Sequence, residues 1–124
     1  MGCRLQAFRN LDVWHKAHQF TLHVYRVTEG FPKIEAFGLA ATLRRGSAQI
    51  AMKIAEGCGR EDSGEFIRCL QQARGLGVEV EYQLLLARDL QFVNPDDYDA
   101  LQDQLIEVRK MLSGFMKTLH RQPV

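Results

Sequence analysis

No apolar run in this sequence approaches the roughly 20 residues that a membrane-spanning helix requires. Met1-Gly2-Cys3-Arg4 lacks the hydrophobic core of a secretory signal, and Gln6 stands where a myristoylation motif needs Ser or Thr. The expectation is a cytoplasmic protein with no membrane partner. Cysteine is sparse: Cys3, Cys58 and Cys69 lie far apart with no C-x-x-C pair, which excludes a disulfide framework and reads as free thiols in a reducing compartment. Cys58 falls near a helix C-terminus, a setting that disfavours a thiolate. Strand alternation and hairpin turn signals are missing throughout, so nothing competes with a helical reading.

Chemical signatures are also scarce. There is no phosphate loop, no G-x-S-x-G turn, no dinucleotide fingerprint and no Glu-x-x-His pair of the di-iron bundle type. "GLGVEV", from residue 75, contains glycines but follows no strand. Glu79 and Glu81 lie two apart on a helix and point in different directions, so they form no acid–base pair. His15 and His18 stand three apart, yet zinc needs two further ligands, and His18 lies on an apolar stripe where a hydrogen-bonded core histidine is expected. The sequence therefore points to a protein that is not an enzyme and carries no cofactor and no metal.

What is present is the balance of one soluble globular domain: 124 residues, 46% apolar and 25% charged. The formal net charge of +1 is too small to predict nucleic-acid binding, but its distribution is uneven. Residues 1–60 hold nine Lys/Arg against four Asp/Glu, and residues 61–124 hold seven against eleven. Such asymmetry either steers a polyanion to one face or lets basic and acidic helices neutralise one another within a bundle or between subunits.

Every periodic stretch has helical spacing. In the first, Trp14, Ala17, His18, Thr21, Tyr25 and Thr28 form one stripe, and Val13, Phe20, Val24 and Val27 form a second beside it. Asn10 is the expected N-cap, and Gly30-Phe31-Pro32 ends the segment. The second carries Leu39, Leu43, Ser47, Ile50 and Ile54 in an alanine-rich helix that stops at Gly57. Asp62-Ser63-Gly64-Glu65 has capping-box spacing before a third helix whose seam is Phe66, Leu70, Ala73, Gly77, Val80, Leu84 and Ala87. Asn94-Pro95-Asp96-Asp97 opens a fourth, with Tyr98, Leu101, Leu105, Val108, Leu112, Phe115 and Leu119 in register. The expected organisation is an N-terminal tail over 1–9, a bundle over 10–120 with helices at about 10–29, 34–57, 62–91 and 95–119, and a C-terminal tail over 121–124. With such short connections, the simplest fold is all-α, an antiparallel up-down four-helix bundle.

Two helices carry more apolar surface than one core demands: the first is apolar on two faces, and the third has Leu76, Tyr82, Leu85 and Leu86 off its seam. A homo-oligomer would bury that surface. Gly75 and Gly77 weaken the third helix by about 1 kcal/mol each, and close approach of another helix is the expected reason. Arg44 and Arg45 form the densest basic point. With Lys53 further along the same helix and Arg60 in the turn after it, they are the candidate contacts to nucleic acid or to a partner. Arg109, Lys110, Lys117, His120 and Arg121 suit the dipole at the end of the fourth helix, with contact to nucleic acid as the alternative. Glu56 is anomalous, because a carboxylate in a last turn faces the negative end of the dipole. It needs a partner, from Arg60 in the turn, from Arg68 at the start of the third helix (the best placed), from backbone donors, or from another subunit. Glu56 is expected to clamp the turn.

"LDVWHKAHQF" at 11–20, "GFPKIEAFGLAATLRRGSAQIAMKIAEGCGR" at 30–60 and "EFIRCLQQARGLGVEVEYQLLLARDL" at 65–90 resemble the four helix bundle protein family, whose founding members are encoded in intervening sequences of bacterial 23S rRNA genes. The resemblance spans about residues 8–119 and makes Trp14, Glu56, Gly57, Gly59 and Arg68 parts of a structural signature. It implies a bundle that assembles as a ring-like homopentamer without catalytic activity. It also implies kinship with retroelement accessory variability proteins, which bind nucleic acid and a reverse transcriptase through a basic surface. The implied partners are thus further copies of the chain and RNA, DNA or a nucleic-acid-handling protein, with a purely protein-binding adaptor as the alternative. Where relatives often read S-I-P-S-N-I-A-E-G, this chain has no proline before Ile54-Ala55-Glu56-Gly57, so its second helix is expected to be straighter.

Overall fold

A computed structural model describes residues 8–121, the side chain of residue 121 excepted. Cys3 and most of both expected tails lie outside the described residues. The chain forms four α-helices: α1 Asp12–Thr28, α2 Leu39–Cys58, α3 Ser63–Asp89 and α4 Pro95–Arg121. A 3-10 turn, Lys33–Glu35, precedes α2. No strand occurs among the described residues, and none of their helices is long and apolar enough to cross a membrane.

The helices pack as a bundle in which α1 and α3 each contact both α2 and α4. Phe20, Leu43, Ile50, Ile54, Leu70, Leu84, Leu101, Leu105 and Leu112 are fully buried between them. All seven positions of the expected α3 seam are buried. Along the α3–α4 boundary Phe66 meets Phe115, Arg74 meets Ser113, Gly77 meets Arg109 and Glu81 meets Gln102. The buried Thr21 hydroxyl, within 2.9 Å of Ala17 O and 3.1 Å of Ser47 O, links α1 to α2.

The helix ends show where local chemistry departs from the sequence pattern. Asn10 does not cap α1; it lies in a 3-10 turn at residues 8–10, and Leu11 occupies the cap position with no side-chain bond. α2 begins at Leu39 and not near residue 34, because the Glu35 carboxylate reaches forward to accept the Leu39 amide at 2.9 Å. That bond satisfies an orphan donor of the first turn from outside the helix. Asp62 accepts the Gly64 amide at 3.1 Å, whereas Glu65 turns towards Arg60 at 3.8 Å. Asn94 caps α4 as expected: its Oδ1 accepts the Asp97 amide at 2.7 Å while its amide nitrogen donates to the Asp97 carboxylate.

Gly57 is not a stop signal. It lies inside α2, and Gly59 follows the helix in an ordinary right-handed conformation with φ −80°. A Cβ at Gly57 would sit 2.5 Å from the Phe66 ring and 3.1 Å from Cys69 Cβ, so its role is to let α3 approach. Gly77 is similar against α4, with Arg109 Cγ 3.3 Å from where its Cβ would be, but Gly75 faces open space. The left-handed residue is instead Gln91, at φ 63°, after α3. There Gln91 N donates to Arg88 O and Phe92 N to Ala87 O, which is a Schellman closure. Phe92 then packs on Phe31 with ring centroids 5.7 Å apart, tying the α3–α4 turn to the α1–α2 connection.

Candidate functional site

The four candidate cations, Arg44, Arg45 and Lys53 on α2 and Arg60 just after it, do not form one patch. Arg44 turns back onto α1, donating from Nε to Thr28 Oγ1 at 2.7 Å and from Nη2 to Tyr25 O at 3.3 Å, with its guanidinium 5.1 Å from the Tyr25 ring centroid. It thereby supplies a positive group to the carbonyl end of α1, where the helix dipole favours one. Arg45 is exposed on the outer face of α2.

Lys53 and Arg60 are brought together by Glu56. Lys53 Nζ lies 3.1 Å from Glu56 Oε1, and Arg60 Nη2 lies 2.9 Å from Oε2. These bonds, that of Arg60 first, hold the Glu56 carboxyl below its ordinary proton affinity. Reciprocally, the bond to Glu56 and a second to the Cys69 side chain raise that of Arg60. Two cations thus offset the unfavourable dipole at the end of α2. Arg68, the partner favoured from sequence, is exposed and lines the same shallow cleft without bonding Glu56. The Arg60 bond spans i to i+4 within the turn and needs no cross-helix reach. With Glu56 and Glu65 among its lining, this cleft has mixed charge and suits a clamp better than an anion site.

Trp14 is half-buried at the edge of α1. Its indole stacks on His18 with centroids 5.0 Å apart and planes 7° apart, and meets Phe8 edge-on at 5.0 Å. His18 is therefore a stacking partner at a cleft wall and not a hydrogen-bonded core histidine. Among the described residues no group of His, Cys, Asp and Glu could hold a metal ion. Cys58 and Cys69 are both buried.

A more coherent charged surface lies on the opposite side of the bundle, between α3 and α4. Two depressions of about 530 and 500 Å³ share Arg74, Ser113 and Lys117. His120 extends one and Lys110 and Arg109 the other, and no carboxylate lines either. Arg74 Nη1 is 3.3 Å from Ser113 Oγ, which pins its guanidinium across the groove. Arg109 is more committed, because it bonds Glu81. Ile67, Met116 and Ile106 add apolar surface beside the cations. An open groove lined by cations with apolar flanks can accept a phosphate backbone.

Sequence reasoning preferred the helix dipole for the α4 cations, with nucleic-acid contact as the alternative, and gave no role to Arg74. The available signal was negative: residues 66–78 and 108–121 contain no Asp or Glu, and α3 and α4 lay these two stretches side by side.

Comparison with known proteins bears on this geometry. The 23S rRNA-intervening sequence protein family matches residues 9–114. A crystal structure from Bacteroides thetaiotaomicron, described as a protein with unknown function from the S23 ribosomal protein family, superposes with a TM-score of 0.79. That likeness covers 85% of this chain and 95% of the other at 21% identity, and it concerns the fold. No curated protein matches the chain.

Proposed function

The chain belongs to the 23S rRNA-intervening sequence protein family, and from that premise we propose that it is a non-catalytic bundle protein that binds structured nucleic acid along the α3–α4 groove. The observation that carries this reading is the convergence of Arg74, Lys110, Lys117 and His120 on one groove with no carboxylate in its lining. Phosphate contacts of this kind give affinity that is independent of sequence and falls steeply with salt.

The proposed architecture is an up-down antiparallel bundle. The pairings of Phe66 with Phe115, Arg74 with Ser113 and Glu81 with Gln102 support it, since partner numbers fall along α4 as they rise along α3. Copies of the bundle self-associate, and the family resemblance supports the ring of five. Exposed apolar side chains, among them Phe37, Ile34, Tyr82 and Val78, favour self-association and equally favour a second reading, a protein-binding adaptor with no nucleic-acid role.

Titration of the purified protein with structured RNA and with DNA across a salt series tests the proposal. Binding that weakens steeply as salt rises is expected, and no salt-sensitive binding at low salt would leave the adaptor reading in its place. Light scattering over a range of concentrations tests self-association, which a monomer throughout would remove.

A further inference from the structure

Arg109 lines the α3–α4 groove beside Arg74, Lys110 and Lys117, yet its charge is already answered. Its Nη1 bonds Oε1 of Glu81, a carboxylate on α3 that lies outside the lining of the depression. The other oxygen of Glu81 accepts from Gln102 Nε2 at 3.1 Å, so both carboxylate oxygens are engaged.

The packing of α3 on α4 is shaped around this pair. Gly77 and Glu81 stand four apart on α3 and share one face. A Cβ at Gly77 would lie 3.3 Å from Arg109 Cγ and 3.4 Å from Cδ, so the glycine leaves room for the arginine stem to cross α3. Gln102 precedes Arg109 by two helical turns on the same face of α4. Its amide nitrogen serves Glu81, while its own Oε1 is buried with no partner among the described residues. The reverse amide orientation would set oxygen against carboxylate oxygen, so Glu81 decides it.

The pair is nevertheless within reach of a ligand. Arg109 and Glu81 keep 32% and 37% of their side-chain surface exposed. A guanidinium binds phosphate in the same forked geometry that it uses for a carboxylate, so the two compete for one set of donors. Glu81 is tethered beside Arg109, whereas a phosphate must be ordered there, and a displaced Glu81 would keep only its Gln102 bond.

We infer that Glu81 sets the affinity of the α3–α4 groove by holding Arg109 out of phosphate contact. The inference deepens the nucleic-acid reading and rests on it. Wild-type binding uses the remaining cations of the groove, and Arg109 joins them when the carboxylate is neutralised.

Anisotropy titrations of a labelled RNA hairpin across a salt series test this, with the full chain as wild type, Glu81→Gln, Arg109→Gln and both together. Glu81→Gln is expected to tighten binding and to steepen the log–log salt slope by about 0.7–0.9, the equivalent of one phosphate contact. Arg109→Gln is expected to leave the wild-type slope unchanged. In the Glu81→Gln background it should remove the added contact and cost about five times more affinity than in wild type. Both side chains are partly exposed and leave the helices intact when changed, which circular dichroism checks. A Glu81→Gln slope equal to wild type, or an equal cost of Arg109→Gln in both backgrounds, would overturn the inference while leaving binding at the groove intact. No salt-sensitive binding by wild type at low salt would remove the groove reading and the inference with it.

Discussion

Gly57→Ala adds a single methyl group where α2 and α3 come closest, and its effect can be worked from the geometry. In an open helical position the change would stabilise by about 1 kcal/mol, because alanine loses less backbone entropy than glycine. Here the new Cβ would lie 2.5 Å and 2.9 Å from two carbons of the Phe66 ring and 3.1 Å from Cys69 Cβ. The ring cannot simply swing away: Phe66 is 6% exposed and meets Phe115 edge-on at 5.4 Å. Overpacking of this kind costs about 1–3 kcal/mol, so the net expectation is a loss of about 1 kcal/mol. For a chain of this size that lowers the melting temperature by about 4 °C. Gly75→Ala is the internal control, since its Cβ would meet nothing within 4 Å. It is expected to raise the melting temperature by a similar amount. Thermal denaturation followed by circular dichroism measures both. Phe66→Leu, which removes the obstructing ring, should make the Gly57→Ala change less harmful in a double-mutant cycle. A Gly57→Ala protein that melts at or above wild type would refute the close-approach account.

Two further perturbations test other ends of the bundle. Glu56→Gln should lower stability at neutral pH by about 0.5 kcal/mol, the scale of exposed ion pairs. Because the folded-state proton affinity of Glu56 is depressed, its contribution is present above the unfolded carboxyl pKa of about 4.3 and is lost as pH falls through the lower folded value. Melts of wild type and variant should therefore converge in acid, and a difference independent of pH would argue against the clamp. Gln91→Gly should raise the urea midpoint by the equivalent of about 1 kcal/mol, because a left-handed φ of 63° is costly for a side chain with a Cβ. An unchanged or lower midpoint would show that the turn is not strained.

The helices were readable because period and burial coincide. Leu43, Ile50 and Ile54 on α2, and Leu101, Leu105, Val108 and Leu112 on α4, are all buried where the pattern placed them. Both stripes of α1 were also readable, although Trp14, His18 and Tyr25 of the first turn out to line a cleft and not the core. What periodicity could not supply was anything decided by one contact across helices. The Leu39 start of α2 depends on the reach of Glu35. The role of Gly57 depends on the position of a Phe66 ring nine residues later in the chain. Arg44 looked like part of a basic patch until its carbonyl and hydroxyl acceptors at the end of α1 were in place. The groove was hidden for the same reason, because Arg74 and Lys117 are distant in sequence and meet only through the α3–α4 packing.

Nucleic-acid binding along that groove is the central claim, and charge reversal combined with a salt series tests it most directly. Fluorescence anisotropy of a labelled RNA hairpin would be followed from about 50 to 300 mM KCl. Wild type, Lys110→Glu/Lys117→Glu and Arg45→Glu would be compared. If the groove holds the backbone, the wild-type log–log salt slope is roughly −3, the groove variant loses about two units of it along with most of its low-salt affinity, and Arg45→Glu keeps both. Equal binding by wild type and the groove variant, or loss confined to Arg45→Glu, would contradict the account.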